Sequence, residues 1–203
     1  MSRAANESYR RARELGETLA DPRQLVTAVY GLWQWAAGSG DLIEGRSLST
    51  TLLELTAAHA DDDLRLQAHH SAWPTYLHRG EPAAAREHAA AGRRLYDPER
   101  HRSHRLLFGG HDPGVCARMF YGLAHWVLGY PEQALAGAGD GLALAEQLVH
   151  PLSLEDALLN LSLLHLSRGE PELALRRLEA AQTVAAEQRL GFVREPLFCG
   201  ATH

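Results

Sequence analysis

The sequence predicts an all-α fold, a right-handed solenoid of about four helical hairpins in a single domain. A short turn motif recurs along the chain, and apolar residues follow at three- and four-residue steps on both sides of each turn. The central glycines of these turns are 40, 49 and 40 residues apart, a period typical of stacked helical hairpins. The four turn segments are GSGDLIEG at 38–45, HRGEPAAA at 78–85, LGYPEQAL at 128–135 and RGEPELAL at 168–175.

Each unit is predicted to contain a first helix before its turn and a second helix after it. Aspartates at the expected starts of three first helices are good N-caps, because a carboxylate accepts hydrogen bonds from the first free amides. Prolines open three second helices, where a missing amide hydrogen costs nothing. The caps are Asp21, Asp61 and Asp112, and the prolines are Pro82, Pro131 and Pro171. The units cover about 22–59, 61–96, 112–149 and 151–189, with partial elements at 1–20 and 191–203.

The longer second spacing, between Gly80 and Gly129, predicts an insertion at 97–111. We expect this insertion to be ordered and to pack over one end of the groove formed by the repeats. Leu106, Leu107 and Phe108, together with Tyr96 just before them, would be costly to leave in water.

The repeat positions resemble those of the tetratricopeptide repeat. Five residues after each turn glycine, where that family places a small residue, stand Gly45, Ala85, Ala134 and Ala174. The period of 40 exceeds the family's usual ~34, so the resemblance implies longer helices. It also implies that residues 1–20 form the second helix of a truncated preceding unit.

A second resemblance covers roughly residues 20–190. The segments YDP at 96–98, FGGHDPGVCAR at 108–118 and LGYPEQAL, with His101 and His104, are similar to the helical-repeat region of bacterial class III adenylate/guanylate cyclase-like and ATPase-fused regulatory proteins. This resemblance implies that the chain is a fragment or relative of a larger signalling protein. The cyclase and ATPase modules of those proteins have no counterpart in this sequence.

Composition excludes several kinds of chemistry. The 203 residues carry 20 basic and 25 acidic side chains, and every basic residue is arginine, so no lysine Schiff base or phosphate-loop lysine is possible. The net charge of −5 argues against a general nucleic-acid binder. No apolar run approaches the ~20 residues of a membrane span. Two cysteines far apart in sequence indicate a reducing, cytoplasmic setting.

Histidine is unusually frequent, with 12 copies. His101 and His104 share one face of a helical turn, and His111 and Asp112 follow closely, so these four residues are candidate ligands for zinc or manganese. The alternative is an ordered loop whose histidines bond to backbone carbonyls while Asp112 caps a helix. An HxxH spacing alone does not decide between the two.

The groove of the predicted solenoid is the other candidate site. By the repeat resemblance it is formed by first-helix residues ten, six and three positions before the turn glycine, together with an aromatic position. Its candidate ligand-binding residues are Tyr30, Gln34, His70, Tyr76, Met119 and Trp126. Such a groove is mainly apolar and suits a peptide or a small apolar ligand.

We therefore favour a non-catalytic scaffold that binds a protein, a peptide or a small ligand and needs no cofactor. The alternative is a metal- or histidine-dependent hydrolase with His70, His104, His111 and Asp112 as candidate catalytic residues. A third possibility is a structural spacer between domains. We also expect a homodimer, because the last helix and the segment GFVREPLFCG leave apolar surface that no later repeat covers.

Overall fold

The computed structural model describes residues 3–19, 21–57, 59 and 61–188. These residues form ten helices and no strand, which confirms the predicted all-α solenoid. The helices are α1 Arg3–Leu19, α2 Pro22–Ser39, α3 Leu42–Ala57, α4 Asp62–His78, α5 Pro82–Leu95, α6 His104–Leu107, α7 Pro113–Val127, α8 Pro131–Leu148, α9 Pro151–Ser167 and α10 Pro171–Glu187.

Eight of the helices form the four predicted hairpins, α2–α3, α4–α5, α7–α8 and α9–α10. Each first helix packs against its own second helix, and α2, α4, α7 and α9 also contact one another in succession. The second helices α3, α5 and α8 contact the first helix of the next unit, and α1 packs against α2 as a preceding second helix would. Each unit thus buries its apolar faces mainly against its neighbours, as a solenoid requires.

The turn chemistry predicted from the sequence is present. The four turn glycines Gly40, Gly80, Gly129 and Gly169 have φ of 75°, 76°, 84° and 75°. This left-handed conformation is one that glycine adopts without steric cost. Asp21, Asp61 and Asp112 each accept two backbone hydrogen bonds at the start of a first helix.

The two helices of a hairpin approach each other most closely at small residues. Ala85 and Ala134 are fully buried, and Ala174 is 6% exposed. A methyl group on Gly122 would lie 2.7 Å from the carbonyl oxygen of Ala134, which is too close for any real contact. The tetratricopeptide-like register therefore fits these three hairpins, whereas a methyl group added to Gly45 in the first hairpin would meet nothing within 4 Å.

The described residues hold no helix with the length and apolar character that a membrane crossing needs. The terminal segment 191–203 lies outside the described residues.

Pro74 lies inside α4, which runs unbroken on either side of it.

Candidate functional site

The insertion 97–111 is built from a capped turn, the short helix α6 and two glycines. The carboxylate of Asp97 accepts hydrogen bonds from the backbone amides of Glu99 and Arg100, which starts the turn. Gly109 and Gly110 have φ of 96° and 86°, so the chain reverses there before α7 begins. These two conformations bring the histidines of the insertion back towards the first helices.

The insertion lies on α2 and α4 and covers part of the predicted groove. The ring of Phe108 packs edge-on against Tyr30, with their centroids 5.2 Å apart. His111 Nε2 lies 3.0 Å from His70 Nε2, and His104 Nδ1 lies 2.6 Å from the side-chain amide of Gln67. The expectation that Leu106 and Leu107 would be buried is wrong, because these side chains are 85% and 61% exposed. Phe108, at 5% exposed, is the apolar side chain of the segment that is buried.

A chain of polar groups runs beneath the insertion. The phenol of Tyr30 lies 3.0 Å from His70 Nδ1, and the amide oxygen of Gln67 lies 3.2 Å from the same nitrogen. Because Gln67 also reaches His104, its amide joins the two histidines. Tyr30, His70 and Gln67 are almost fully buried, so this network is closed to solvent.

Burial favours the neutral form of His70 and His104. Burial lowers the pKa of His70 well below its usual range, and the nearby His111 and His104 lower it further. Burial, with the neighbouring His101, lowers the pKa of His104 to about 4. A neutral imidazole keeps one nitrogen lone pair, which is the form that binds a metal ion.

The four residues predicted as one metal site do not form a single group. His101 and His104 come together, but their third partner is Asp63 of α4, and one ligand atom from each lies within 4.8 Å of the others. His111 instead joins His70 and Cys116 in a second group with the same spacing. Asp112 belongs to neither group, since its carboxylate caps α7 through the amides of Gly114 and Val115. The cap interpretation of Asp112 is thus confirmed.

Three of the four candidate catalytic residues are buried. His70, His104 and Asp112 are 1%, 5% and 1% exposed, and only His111 is partly open. A substrate has no direct approach to the three buried groups in this conformation. The hydrolase alternative stays a prediction that no contact among the described residues supports.

The predicted groove residues divide between core and surface. Tyr30 and His70 are buried because the insertion covers them, and Met119 is buried in the core between α7, α8 and α9. Tyr76 is half-buried between the ring of His88 and the guanidinium of Arg46. Gln34 and Trp126 are also half-buried.

The part of the inner surface that stays open lies on α7 and α9. Leu123 and Trp126 on α7 are half-buried. On α9, Leu159 and Leu163 are half-buried, and Leu166 is 43% exposed.

Sequence reasoning missed Asp63 and Gln67. The triplet Asp61–Asp62–Asp63 is typical of a helix start, where negative charge meets the positive end of the helix, so the pattern does not indicate a ligand role for Asp63. Asp63 is separated from His101 by 38 positions, and no spacing rule connects them. Gln67 lies one turn of α4 before His70, which is the only local sign that it would face the same side.

Comparisons with known proteins support the fold. No family model matches the chain. An uncharacterised protein of Rhizobium meliloti (strain 1021) is 24% identical over 118 residues, which make up 58% of this chain and 12% of that protein. The chain therefore spans about an eighth of the length of this curated relative.

A crystal structure of nearly identical TPR-like repeats from Podosopora anserina, described as kinesin light chain, is similar to the whole arrangement. The match has a TM-score of 0.57 and 15% sequence identity, and covers 93% of this chain and 96% of that one. At this identity the similarity shows the fold alone. The described part of this chain is accordingly a TPR-like helical-repeat structure.

Proposed function

We propose that the chain is a partner-binding helical-repeat module, and that the open inner surface on α7 and α9 receives a peptide segment with apolar side chains. The observation that carries this proposal is the row Leu159, Leu163 and Leu166, which lies on one face of α9 and is only partly covered. Trp126 on α7 adds an aromatic group, with the guanidinium of Arg168 5.9 Å from its ring. Half-exposed apolar rows of this kind are typical of grooves that bind peptides.

The first two units support this choice of partner chemistry. There the chain's own insertion places Phe108 against Tyr30, at the position ten residues before the turn glycine. Leu159 stands at the equivalent position of the last unit, and no described segment covers it in the same way. An apolar side chain of a bound peptide would cover Leu159 as Phe108 covers Tyr30, and would remove apolar surface from water in the same way.

The proposal includes a place in a longer signalling protein. Its support is the resemblance to the repeat regions of cyclase-like and ATPase-fused regulators, and the small share of the Rhizobium meliloti protein that the chain covers. A repeat module of this size would supply a binding surface rather than a catalytic centre.

Peptide selection tests the proposal. A displayed random-peptide library is selected on the wild-type chain, and the enriched peptides are measured against Leu166→Glu and Ile43→Glu. Both residues are exposed and both variants add one charge, but Ile43 lies on α3, outside the proposed surface. We expect Leu166→Glu to weaken binding about tenfold or more, since a charge would face an apolar contact, and Ile43→Glu to leave it unchanged. Equal binding to all three proteins, or no enriched peptide, contradicts the proposal.

A further inference from the structure

We propose that Asp63, His101 and His104 form a binding site for a divalent transition-metal ion, with zinc as the probe. The three side chains come from the start of α4 and from the insertion, and one ligand atom of each lies within 4.8 Å of the others. Two imidazoles and one carboxylate are a donor set that suits zinc, iron(II) or manganese. This site is separate from the proposed peptide surface.

Two facing ligand atoms, His101 Nε2 and Asp63 Oδ1, make no well-aligned hydrogen bond. His101 is fully buried, and its Nε2 makes no hydrogen bond, although it lies 3.2 Å from Asp63 Oδ1. Asp63 Oδ1 is also buried and makes no well-aligned hydrogen bond, although it is ion-paired with Arg100. Buried polar atoms are rarely left in this state, because each costs free energy without a partner. A metal ion between these atoms would satisfy both.

The outer nitrogens of both histidines already have partners that fit metal binding. His101 Nδ1 lies 2.9 Å from both the backbone amide nitrogen and the carbonyl oxygen of Asp97. In the tautomer whose Nδ1 donates to this carbonyl, Nε2 keeps the lone pair that a metal ion needs. His104 Nδ1 lies 2.6 Å from the Gln67 amide, and a half-turn of that amide presents its oxygen as the acceptor. Hydrogen bonds of this kind fix the ring and the tautomer of metal-binding histidines.

Arginine side chains neutralise the carboxylate without a metal. Arg100 Nε lies 2.5 Å from Asp63 Oδ1, and an Arg23 nitrogen lies 3.9 Å from Asp63 Oδ2. The Arg100 side chain is 52% exposed, so it can turn into solvent when an ion takes its place. Arg100 is therefore a competitor of the metal, and its removal should strengthen binding.

The two groups of candidate ligands predict different effects of substitution, so a bound metal ion can be assigned to one of them. His111 and Cys116 belong to the other group, with His70. A metal at Asp63, His101 and His104 needs neither of them. His111→Ala is thus a matched control, since it removes one histidine from the insertion and leaves the proposed ligands intact.

The test is a zinc titration of the metal-free full chain against a chromophoric chelator, with circular dichroism to check folding. We expect one zinc per chain, a loss of affinity of at least about a hundredfold in Asp63→Asn and His101→Ala, and affinity about fivefold tighter in Arg100→Gln. His111→Ala should bind as the wild type does. No zinc binding by the wild type, or equal losses in His111→Ala and His101→Ala, overturns the proposal.

Cobalt(II) binding to the wild-type chain gives an answer even if a variant fails to fold. A cobalt ion at Asp63, His101 and His104 should show ligand-field bands without a thiolate-to-metal charge-transfer band. The appearance of that charge-transfer band would assign the ion to a cysteine and would also overturn the proposal.

Discussion

The residue whose size matters most for hairpin packing is Gly122. A methyl group at Gly122 would meet the backbone of α8, 2.7 Å from Ala134 O and 3.0 Å from Ala138 N, and backbone atoms cannot turn aside. Gly139, in the same hairpin, is exposed and has nothing within 4 Å of the position of an added methyl group. The two glycines therefore have different roles within one hairpin.

Substituting each glycine with alanine should change stability in opposite directions. Gly122→Ala should lower the free energy of unfolding by about 1–3 kcal/mol, because it separates α7 from α8. Gly139→Ala should raise it by about 0.5–1 kcal/mol, because alanine favours the helix without a clash. Urea unfolding of the two variants measures both values. Equal shifts in the two variants would mean that the assigned register is wrong.

A second residue-scale feature is the pair His69 and His88. Their Nδ1 atoms lie 2.9 Å apart, so one must accept a hydrogen bond and must be neutral. Burial, with the nearby His88, Arg65 and Arg94, lowers the pKa of His69 to about 4. The unfolded imidazole has a pKa of about 6.5 and takes up a proton first as the pH falls.

This pair should make the chain less stable in acid. Between pH ~6.5 and ~4 the unfolded state binds more protons than the folded state, so the free energy of unfolding falls as the pH falls, by at most about 3 kcal/mol for His69. His69→Gln should flatten that dependence. The measurement is urea unfolding at several pH values across this window. Identical slopes for wild type and variant would exclude His69 as a source.

At the scale of elements, the apolar contact of the insertion with the first helices depends on one side chain. Phe108 is buried against Tyr30, whereas Leu107, one position earlier, is 61% exposed. The apolar content of the segment predicted that it would be ordered, but not which of its side chains would be buried. That choice depends on how α6 and the two following glycines direct the chain.

Phe108→Ala should loosen the insertion, and Leu107→Ala should not. We expect the first change to cost about 3 kcal/mol, since it empties a buried aromatic site. It should also speed proteolytic cleavage within 97–111. Limited proteolysis and thermal unfolding of the two variants provide the comparison. Faster cleavage of Leu107→Ala than of Phe108→Ala would contradict this account of the insertion.

Helix pairs and turns could be predicted because they rest on local rules. A glycine with positive φ, a capping aspartate and a proline in the first helical turn each act within a few residues, and Gly80, Asp61 and Pro82 show this within one unit. The metal group could not be predicted in the same way. This group forms only if Asp63 contacts His101, which lies 38 positions later in the sequence. That contact depends on where the insertion packs against α4. The sequence also does not show that the insertion covers the first two units, and for this reason it predicts Tyr30 and His70 in an open groove.

At the scale of the whole molecule, the inner surface of the solenoid has two parts. The insertion covers the part on α2 and α4, and the part on α7 and α9 is open in the described chain. This division separates the proposed metal site from the proposed peptide surface. Substitutions in the metal site should therefore leave peptide binding unaffected, and substitutions on the peptide surface should leave metal binding unaffected.

Self-association stays a prediction at this scale. Leu175 on α10 is 55% exposed, and Leu173, Leu178 and Val184 of the same helix are half-buried, so the last described helix has apolar surface to contribute. We expect a homodimer, because a twofold contact would cover such a surface. Sedimentation equilibrium at micromolar concentration measures the mass. A mass of 22.3 kDa, that of one chain, would contradict the dimer.

The claim on which the others depend is that the insertion folds over the inner face of the first two units. It is tested most directly by nuclear Overhauser spectroscopy of the aromatic protons, with the Phe108 signals assigned through Phe108→Leu. The structure places the rings of Phe108 and Tyr30 5.2 Å apart, so cross-peaks between them are expected. An insertion whose Phe108 shows no contact with Tyr30, or only contacts with solvent-facing groups, would contradict the account.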